Sequence, residues 1–330
     1  MRLVSYDRFG PAAEVLAVRD APAQRPGPGE VSVELAFSGV NPSDVKARAG
    51  ARPGVTKPPF PLIVPHSDGS GVISAVGDGV DSTRVGQRVW IWNGQWQRPF
   101  GTAATHITLP SEQAVPLPDT ASLETGASLG IPGLTAAHVV FGGGAVRGQT
   151  ILIHGGAGTV GHLAVQLARW GGARVIATAR GAGADRCREA GADVVLDYAA
   201  PDLAEQIIAV TDGRAISRIV EVEFGRNIET NAAVIAPNGT IAAYGSAAQM
   251  SPVLPFGPLL FKAVTIDIVL IYLLSPPQRQ GAISALHKAL TEQAISCPVQ
   301  SVFSLADTAL AHETVERGGR TGAILVDVTS

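Results

Sequence analysis

The order of hydrophobic and polar positions changes character near residue 120. Before it, apolar residues alternate with polar ones over short runs that glycine and proline interrupt, and no long helical period separates these runs. The pattern predicts strands at 31–37, 71–76, 88–92 and 105–109. We therefore expect a β domain with a barrel-like or sandwich-like arrangement in this part of the chain.

After residue 120, apolar strands alternate with helical periods. Strands are predicted at 150–154, 174–178, 194–196, 218–222 and 239–244, with a candidate sixth at 264–271. The helix after the first of them carries apolar residues at helical spacing, namely Val160, Leu163, Ala164 and Leu167. This alternation requires right-handed crossovers, so it predicts an α/β fold with a parallel sheet.

The end of the chain carries a helix near 282–290 and a closing strand at 323–328. A chain of 330 residues exceeds a comfortable single core, which favours two domains. We expect residues 121–270 to form the α/β domain. Residues 1–120 and 271–330 would then form the two parts of the β domain that it interrupts.

Composition and charge exclude several classes of protein. Hydrophobic residues make up 46% of the chain and charged residues 16%, which suits a compact fold rather than a disordered one. The formal net charge of -3 gives no electrostatic reason to expect nucleic acid or an anionic membrane as a partner. Two cysteines, Cys187 and Cys297, cannot supply a thiolate-rich metal site.

The distribution of apolar residues favours a cytoplasmic location. The most apolar stretch, residues 263–274, is too short to cross a bilayer and contains Asp267 near its centre. The first ten residues lack the apolar region of a signal peptide. We therefore expect neither membrane insertion nor secretion.

A glycine-rich turn follows the first strand of the α/β domain. Residues 154–161 read HGGAGTVG, in which Gly156, Gly158 and Gly161 fit G-x-G-x-x-G, with Thr159 and Val160 inside the motif. Glycines let the backbone approach a pyrophosphate, whose charge then lies on the free N–H groups of the next helix. A strand before the motif and a helix after it favour a dinucleotide site in a Rossmann doubly wound parallel sheet, although any tight turn of this type also uses glycine.

The end of the second α/β strand indicates which dinucleotide is preferred. Enzymes that use NAD usually place an acid there to bind the ribose 2′-OH. This chain has Arg180 instead, and its first acid is Asp185. A guanidinium can pair with the 2′-phosphate of NADPH, so we expect NADPH as the cofactor, with Arg186 as a second candidate ligand. The alternative is that Arg180 is a solvated surface charge.

Six blocks of sequence carry a resemblance to one family over nearly the whole chain. They lie, in the family's order, at 38–50, 65–80, 85–90, 126–141, 151–161 and 319–326. The chain resembles the zinc-independent medium-chain dehydrogenases/reductases of the quinone oxidoreductase, or zeta-crystallin, type. The resemblance implies a GroES-like β domain beside the Rossmann domain, with the active site in the cleft between them.

The resemblance also assigns residues to the cofactor. It implies that Thr135 lies near the nicotinamide and Tyr198 near the 2′-phosphate. It further places Gly245 and Ser246 in the turn beside the cofactor, and the backbone groups of Val269 and Leu270 at the carboxamide. A helix cap at Thr135 and ordinary packing at Tyr198 are the alternatives.

The zinc-binding positions of related enzymes hold other residues here. Zinc-dependent relatives have a cysteine in G-x-C-x-x-D, where this chain has Asn41, and a glutamate where it has Asp68. A neutral amide is a poor zinc ligand beside thiolate and imidazole. His66 falls where the family has glycine, which favours a residue in a turn or lining the cleft. We expect no metal.

A site without a Lewis acid favours acceptors that stabilise their own charge. Alcohol oxidation loses the usual means of stabilising an alkoxide, whereas a quinone or an activated alkene delocalises the charge of an incoming hydride. Asn41 and Asp44 could orient the ribose, the substrate carbonyl or water, or could form only a turn and helix cap. We expect an NADPH-dependent quinone oxidoreductase.

Two other functions remain open. A reductase of α,β-unsaturated aldehydes or ketones has the same sequence features. A non-catalytic NADPH-binding protein with a structural or RNA-associated role belongs to another class, but the chain lacks the basic clusters that RNA binding favours.

Two further features concern the pocket edge and the oligomeric state. Family members commonly have a tyrosine shortly after residue 50. Its absence leaves Arg52 or the loop with Trp90, Trp92 and Trp96 to shape the pocket, unless these tryptophans only pack. The apolar run at 264–271 predicts an uncovered edge strand, and we expect it to join two copies in a homodimer.

Overall fold

Alternating apolar residues build a mainly antiparallel sheet in the first of two units. The computed structural model describes residues 1–51 and 54–330, and this unit contains Met1–Ile131 and Cys297–Ser330. Its strands are β1 (Arg2–Ser5), β2 (Ala17–Asp20), β3 (Glu30–Val40), β4 (Asp68–Val76), β5 (Arg88–Ile91), β6 (His106–Pro110), β7 (Ala114–Pro116), β14 (Val299–Ser304) and β15 (Ala323–Asp327). Arg52 lies outside the described residues, so its predicted place at the pocket edge stays a prediction.

The long strand β3 organises the sheet of this unit. It pairs antiparallel with β4, β6 and β15, and the order along the sheet is β14-β15-β3-β4-β5-β7. Val31, Val33 and Leu35 alternate along β3 and are fully buried, so one face of the strand forms the core of the unit. Strands β1 and β2 form a separate antiparallel pair.

In the described residues of the first unit the helices are α1 (Ala12–Val15), α2 (Pro42–Arg48), α3 (Leu123–Gly126) and α11 (Thr308–Arg317). Helix α2 begins immediately after β3. Its first residue is a proline, whose fixed φ suits the first turn of a helix. Helix α2 has seven residues, too few for a helical period to stand out in the sequence.

The second unit, Pro132–Ser296, contains a parallel sheet of six strands. The strands are β8 (Thr150–Ile153), β9 (Arg174–Thr178), β10 (Val194–Leu196), β11 (Ile216–Glu221), β12 (Ile235–Ala243) and β13 (Thr265–Ile268). Their spatial order is β10-β9-β8-β11-β12-β13, so the chain reverses direction across the sheet at β8, and β13 forms one edge. This order places a crevice for a ligand at the carboxyl ends of the strands.

Helices connect the strands of the second unit: α4 (Leu134–Phe141), α5 (Thr159–Trp170), α6 (Ala182–Glu189), α7 (Leu203–Ala209), α8 (Phe224–Val234), α9 (Phe256–Phe261) and α10 (Pro276–Thr291). Leu152 and Ile219 on the central strands are fully buried. None of the helices in the described part of the chain has both the length and the hydropathy of a membrane span.

Two predicted boundaries differ from the structure. The units change at residues 131 and 296, rather than at 120 and 270. Residues 276–291 belong to the α/β unit because α10 packs against α4. The predicted edge strand at 264–271 is also shorter, since β13 covers Thr265–Ile268 and Ile271 is buried in a 3-10 turn.

Candidate coenzyme and catalytic site

The turn between β8 and α5 requires glycine at several positions. Gly155 has a φ of +65°, and a Cβ there would lie 2.9 Å from Cγ1 of Val222. A Cβ on Gly161 would lie 2.2 Å from the carbonyl oxygen of Gly155. The Gly158 N–H donates to that same oxygen at 3.0 Å, which closes the turn. The backbone is therefore folded tightly on itself at the amino end of α5.

The first residue of α5 offers an unsatisfied donor at this turn. The hydroxyl oxygen of Thr159 is buried and has no hydrogen-bond partner among residues 1–51 and 54–330. The first N–H groups of a helix also lack partners within the helix, and the helix dipole favours an anion there. Together with the tight turn of Gly156, Gly158 and Gly161, these groups fit the pyrophosphate of a dinucleotide.

A buried cluster of hydrogen-bonded polar side chains lies next to the turn. Glu221, at the end of β11, is fully buried. Its Oε2 accepts from the side-chain amide of Asn231 at 2.6 Å, and its Oε1 accepts from the Glu223 N–H at 2.5 Å. The Asn231 Oδ1 lies 2.8 Å from Nε2 of His154, the last residue before the turn. The cluster fixes the ends of β8 and β11, and sequence patterns gave no sign of it.

Arg180 and Tyr198 lie at the carboxyl end of the sheet, as the coenzyme prediction requires. The Arg180 side chain is 64% exposed, and its Nε lies 3.7 Å from Oδ2 of Asp197. Tyr198 follows Asp197 in the chain and is 44% exposed. Arg186 is half-buried on α6, where its Nε has no partner in the described part of the chain. Solvent therefore reaches the Arg180 guanidinium.

The turn after β12 holds the predicted pair Gly245 and Ser246. A Cβ on Gly245 would lie 2.4 Å from the Val222 carbonyl oxygen, which explains the glycine. The Ser246 hydroxyl accepts from the Gly225 N–H at 2.8 Å and donates to the Gln249 carbonyl at 2.5 Å. This hydroxyl therefore holds its own loop together.

Glu223 fixes the same loop. Its carboxylate accepts from the N–H groups of Ala247 and Ala248, at 3.1 and 2.7 Å. Glu223 was not identified from the sequence, although an acid two residues after the end of a β strand is a recognisable signal.

Of the remaining predicted coenzyme residues, Val269 and Thr135 are buried, whereas Leu270 is 48% exposed. Val269 is 8% exposed, and its N–H donates to the Ala243 carbonyl at 2.8 Å, so it extends the sheet beyond β13. The Leu270 carbonyl accepts from the Leu273 N–H at 2.9 Å. A backbone contact with a carboxamide would have to come from the other backbone groups of this pair. Thr135 is 4% exposed, in the first turn of α4.

In the first unit, Asn41 and Asp44 lie together at the amino end of α2. The Asn41 N–H donates to Oδ2 of Asp44 at 2.8 Å, so the Asp44 carboxylate caps the helix. The Asn41 side-chain amide donates to Oδ2 of Asp68, also at 2.8 Å. Asn41, Asp44 and Asp68 are all at least nine-tenths buried. The helix-cap role of Asp44 is thus present.

Burial raises the pKa of the Asp68 carboxyl well above its ordinary value, and the nearby Asp44 raises it further. The Ile131 N–H and the Asn41 amide both face the carboxyl and favour its charged form, but burial outweighs them. A Cβ on Gly130 would lie 2.2 Å from Oδ1 of Asp68, so only glycine lets the chain pass this close. The surroundings of Asp68 therefore favour its neutral, protonated form more strongly than water does.

These donors do not fit a zinc ion. Asn41 presents an amide N–H to Asp68, and burial disfavours the charged carboxylate of Asp68 by raising its pKa. Zinc binds neutral imidazole, thiolate or carboxylate. Within the described ranges, no group of three His, Cys, Asp or Glu residues is placed to hold a metal.

His66 lies just before β4 in a left-handed backbone conformation, and it does not line a surface. Its φ is +77°, a conformation that glycine adopts without strain, and its side chain is fully buried. The ring contacts Ser38 through Nδ1 and His312 through Nε2, each at 2.8 Å. This left-handed backbone is compatible with the predicted turn, whereas a side chain with no exposed surface does not line a cleft.

The tryptophans near the predicted pocket mostly pack. Trp90 is fully buried in β5, and Trp92 is 8% exposed with its Nε1 donating to the Glu112 carbonyl at 3.2 Å. Trp96 is half-buried. Trp90 therefore offers no ring face for stacking a substrate.

Comparison with known proteins identifies the family. Residues 27–119 match the alcohol dehydrogenase GroES-like domain, and residues 159–288 match the zinc-binding dehydrogenase model. The quinone oxidoreductase of Pseudomonas aeruginosa is 30% identical over 328 residues, which cover 98% of each chain. This chain belongs to the medium-chain dehydrogenase/reductase family. The predicted GroES-like and Rossmann folds are confirmed.

Other similar proteins differ in size and in the names they carry. A phenolphthiocerol/phthiocerol polyketide synthase of Mycobacterium tuberculosis is 29% identical over 323 residues, which are 96% of this chain, and the chain spans only 14% of its length. A mycobacterial protein solved in complex with NADPH has a TM-score of 0.86, with 28% identity and coverage of 99% of this chain and 100% of that one. A structure named NAD-dependent alcohol dehydrogenase has a TM-score of 0.87 with the same identity and coverage.

Proposed function

We propose that this family member is a zinc-free oxidoreductase that uses NADPH to reduce quinones. The observation that carries the proposal is the hydrogen bond from the Asn41 amide to Asp68. Asn41 stands where zinc-dependent relatives have a cysteine, and its partner is a carboxyl whose pKa is raised by burial. This pair favours a metal-free site.

The acceptor class follows from the chemistry of this pair. NADPH supplies a hydride when it is bound. An amide beside a buried carboxyl can orient a carbonyl, but the pair cannot stabilise a localised alkoxide as a metal would. A quinone spreads the added charge over its conjugated system, so positioning by Asn41 and Asp44 provides much of what catalysis requires.

NADPH binding is supported by the fit of the second unit to a dinucleotide. The glycine turn at Gly156, Gly158 and Gly161 and the donor of Thr159 suit the pyrophosphate. The exposed guanidinium of Arg180 suits the 2′-phosphate, and Tyr198, which follows Asp197 in the chain, is exposed as well. The NADPH complex of the mycobacterial neighbour supports the same assignment. The neighbour named an NAD-dependent dehydrogenase makes NADH the necessary comparison.

The proposed assembly is a homodimer joined through the edge strand β13. Apolar side chains near this edge are strongly exposed, among them Val253, Phe256, Phe261, Ile268 and Leu273. Edge strands and apolar patches of this kind attract a partner.

Steady-state assays with purified protein test the proposed function. NADPH oxidation is measured with a panel of quinones, α,β-unsaturated ketones and aldehydes, and NADP⁺ reduction with simple alcohols. We expect turnover with quinones and none with alcohols. Turnover confined to the unsaturated carbonyls would favour the alternative reductase, and NADPH binding without turnover would favour a non-catalytic role.

A further inference from the structure

Arg180 and Asp197 leave the parallel sheet side by side. Strands β9 and β10 are in register, with Thr178 opposite Leu196, and the Ala179 N–H extends the ladder by donating to the Leu196 carbonyl at 3.0 Å. Beyond this ladder, the next residue is Arg180 in the segment that leaves β9 and Asp197 in the segment that leaves β10. The two charges meet at the edge where a dinucleotide presents its adenosine ribose.

The Asp197 carboxylate is held in place and remains accessible. Its Oδ1 accepts from the Ala199 N–H at 2.8 Å, which fixes the turn after β10. Its Oδ2 lies 3.7 Å from Nε of Arg180, and half of the side chain is exposed. A ligand that reaches the Arg180 guanidinium must therefore approach this carboxylate as well.

We propose that Asp197 sets the coenzyme preference by opposing the 2′-phosphate of NADPH and accepting the ribose 2′-OH of NADH. This inference rests on the proposed role of Arg180. A guanidinium alone would select strongly for the phosphate, whereas the adjacent carboxylate neutralises part of its field and offers an acceptor to a hydroxyl. The protein then binds both coenzymes, with a weaker preference for NADPH than Arg180 alone would give.

The nearby carboxylate of Asp185 has its partner elsewhere. Asp185, on α6, lies 2.6 Å from Arg188, which is exposed on the same helix. Asp197 is thus the carboxylate that the described contacts place against Arg180.

Calorimetric titration with 2′,5′-ADP and 5′-AMP tests the inference without any turnover. Asp197→Asn keeps the oxygen that accepts from Ala199 and removes the charge. Removing one charge beside a phosphate in a water-like dielectric corresponds to roughly fivefold tighter binding of 2′,5′-ADP at low salt. The increase in affinity for 2′,5′-ADP should be smaller at high salt, and the variant should bind 5′-AMP no more tightly than the original protein does.

Asp212→Asn is the matched control. Asp212 pairs with Arg174 at the opposite end of β9, at 3.3 Å, and its carboxylate is exposed like that of Asp197. This variant should change neither affinity. Unchanged affinity for 2′,5′-ADP in Asp197→Asn, or equal gains for both nucleotides, would overturn the inference.

Arg180→Ala distinguishes a failure of this inference from a failure of the proposed role of Arg180 at the 2′-phosphate. If Arg180→Ala leaves the affinity for 2′,5′-ADP unchanged, the proposed phosphate site is wrong. If Arg180→Ala weakens 2′,5′-ADP while Asp197→Asn has no effect, only the role of Asp197 fails.

Discussion

The Nε2 atoms of His66 and His312 lie 2.8 Å apart in the interior of the first unit. The two rings stack with their centroids 5.0 Å apart, and neither side chain has exposed surface. From His66 a line of hydrogen bonds continues through Ser38 and Thr102 to the backbone carbonyl of Asp68. The pair is thus connected to the carboxyl-bearing residue that contacts Asn41.

The last bond of this line determines the direction of all the others. A carbonyl only accepts, so Thr102 donates to Asp68, Ser38 donates to Thr102, and Nδ1–H of His66 donates to Ser38. Burial lowers the pKa of His66 to about 3, so its ring is neutral and its Nε2 accepts from His312. His312 then carries its proton on Nε2.

The histidine pair is expected to make the protein sensitive to acid. In the unfolded chain both rings gain a proton below about pH 6.5, whereas in the folded protein burial holds the pKa of His66 near 3 and that of His312 well below its ordinary value. The free energy of unfolding should fall as pH falls from about 6.5 toward 3. Each buried histidine contributes about 1.4 kcal/mol per pH unit in this window. Denaturant unfolding at several pH values measures the slope.

His66→Asn removes one of the two buried rings and tolerates the left-handed turn. Below pH 6.5 the unfolding free energy of this variant should depend less steeply on pH than that of the original protein. The difference in slope should correspond to the uptake of about one proton fewer on unfolding. His106→Asn, on the partly exposed strand β6, provides the comparison. An unchanged slope in His66→Asn would show that the ring charges freely in the folded state.

The histidine pair also shows what sequence reasoning can and cannot reach. Strands at 174–178 and 194–196 were predicted with the bounds that the structure has, because each is an isolated apolar run before a turn. His66 and His312 are 246 residues apart, and no local pattern joins them. The cap at Asp44 was predicted as one interpretation of Asn-Pro-Ser-Asp, since it depends on neighbours only. Contacts across the sheet depend on register, which the sequence pattern did not provide.

Arg180→Ala should lower the preference for NADPH over NADH. Hydrogen bonds to a charged group contribute about 1.5–3 kcal/mol, so the ratio of the two kcat/KM values should fall roughly tenfold to a hundredfold. Most of the change should lie in KM for NADPH. Arg174→Ala, at the opposite end of β9, is the control. An original protein that already prefers NADH would contradict the assignment.

The edge strand β13 should hold two copies of the chain together. Light scattering at micromolar concentration should give the mass of a dimer. Ile268→Lys places a charge on an edge residue that is 69% exposed, and it should shift the protein toward monomer. Ile208→Lys, on an exposed residue of α7, should leave the mass unchanged. A monomeric original protein would argue against this interface.

Removal of metal should leave activity intact, because Asn41 and Asp68 provide no ligand set for zinc. The protein is treated with a strong chelator, its metal content is measured, and quinone reduction is assayed before and after. Stoichiometric zinc whose loss abolishes turnover would refute the metal-free site.

Substitutions at the amino end of α2 should affect the two acceptor classes differently. Asn41→Ala removes the amide that contacts Asp68, and Asp44→Ala removes the carboxylate that caps the helix. A quinone stabilises its own added charge, so kcat for quinones should fall by about tenfold or less, which is below the roughly hundredfold minimum that a general acid or base typically contributes. An unsaturated aldehyde has a weaker electron sink and should lose more.

The cap makes Asp44→Ala the less simple of the two variants. Loss of the helix cap should lower the free energy of unfolding by about 1 kcal/mol. A parallel unfolding measurement separates this effect from the change in kcat. Asp44→Asn keeps an oxygen for the Asn41 N–H and should recover that stability. If Asp44→Asn also recovers quinone turnover, Asp44 acts by positioning α2 and Asn41. If turnover stays low while stability returns, the charge of Asp44 itself contributes at the site. Abolition of all turnover by Asn41→Ala would instead mean that this amide supplies more than orientation.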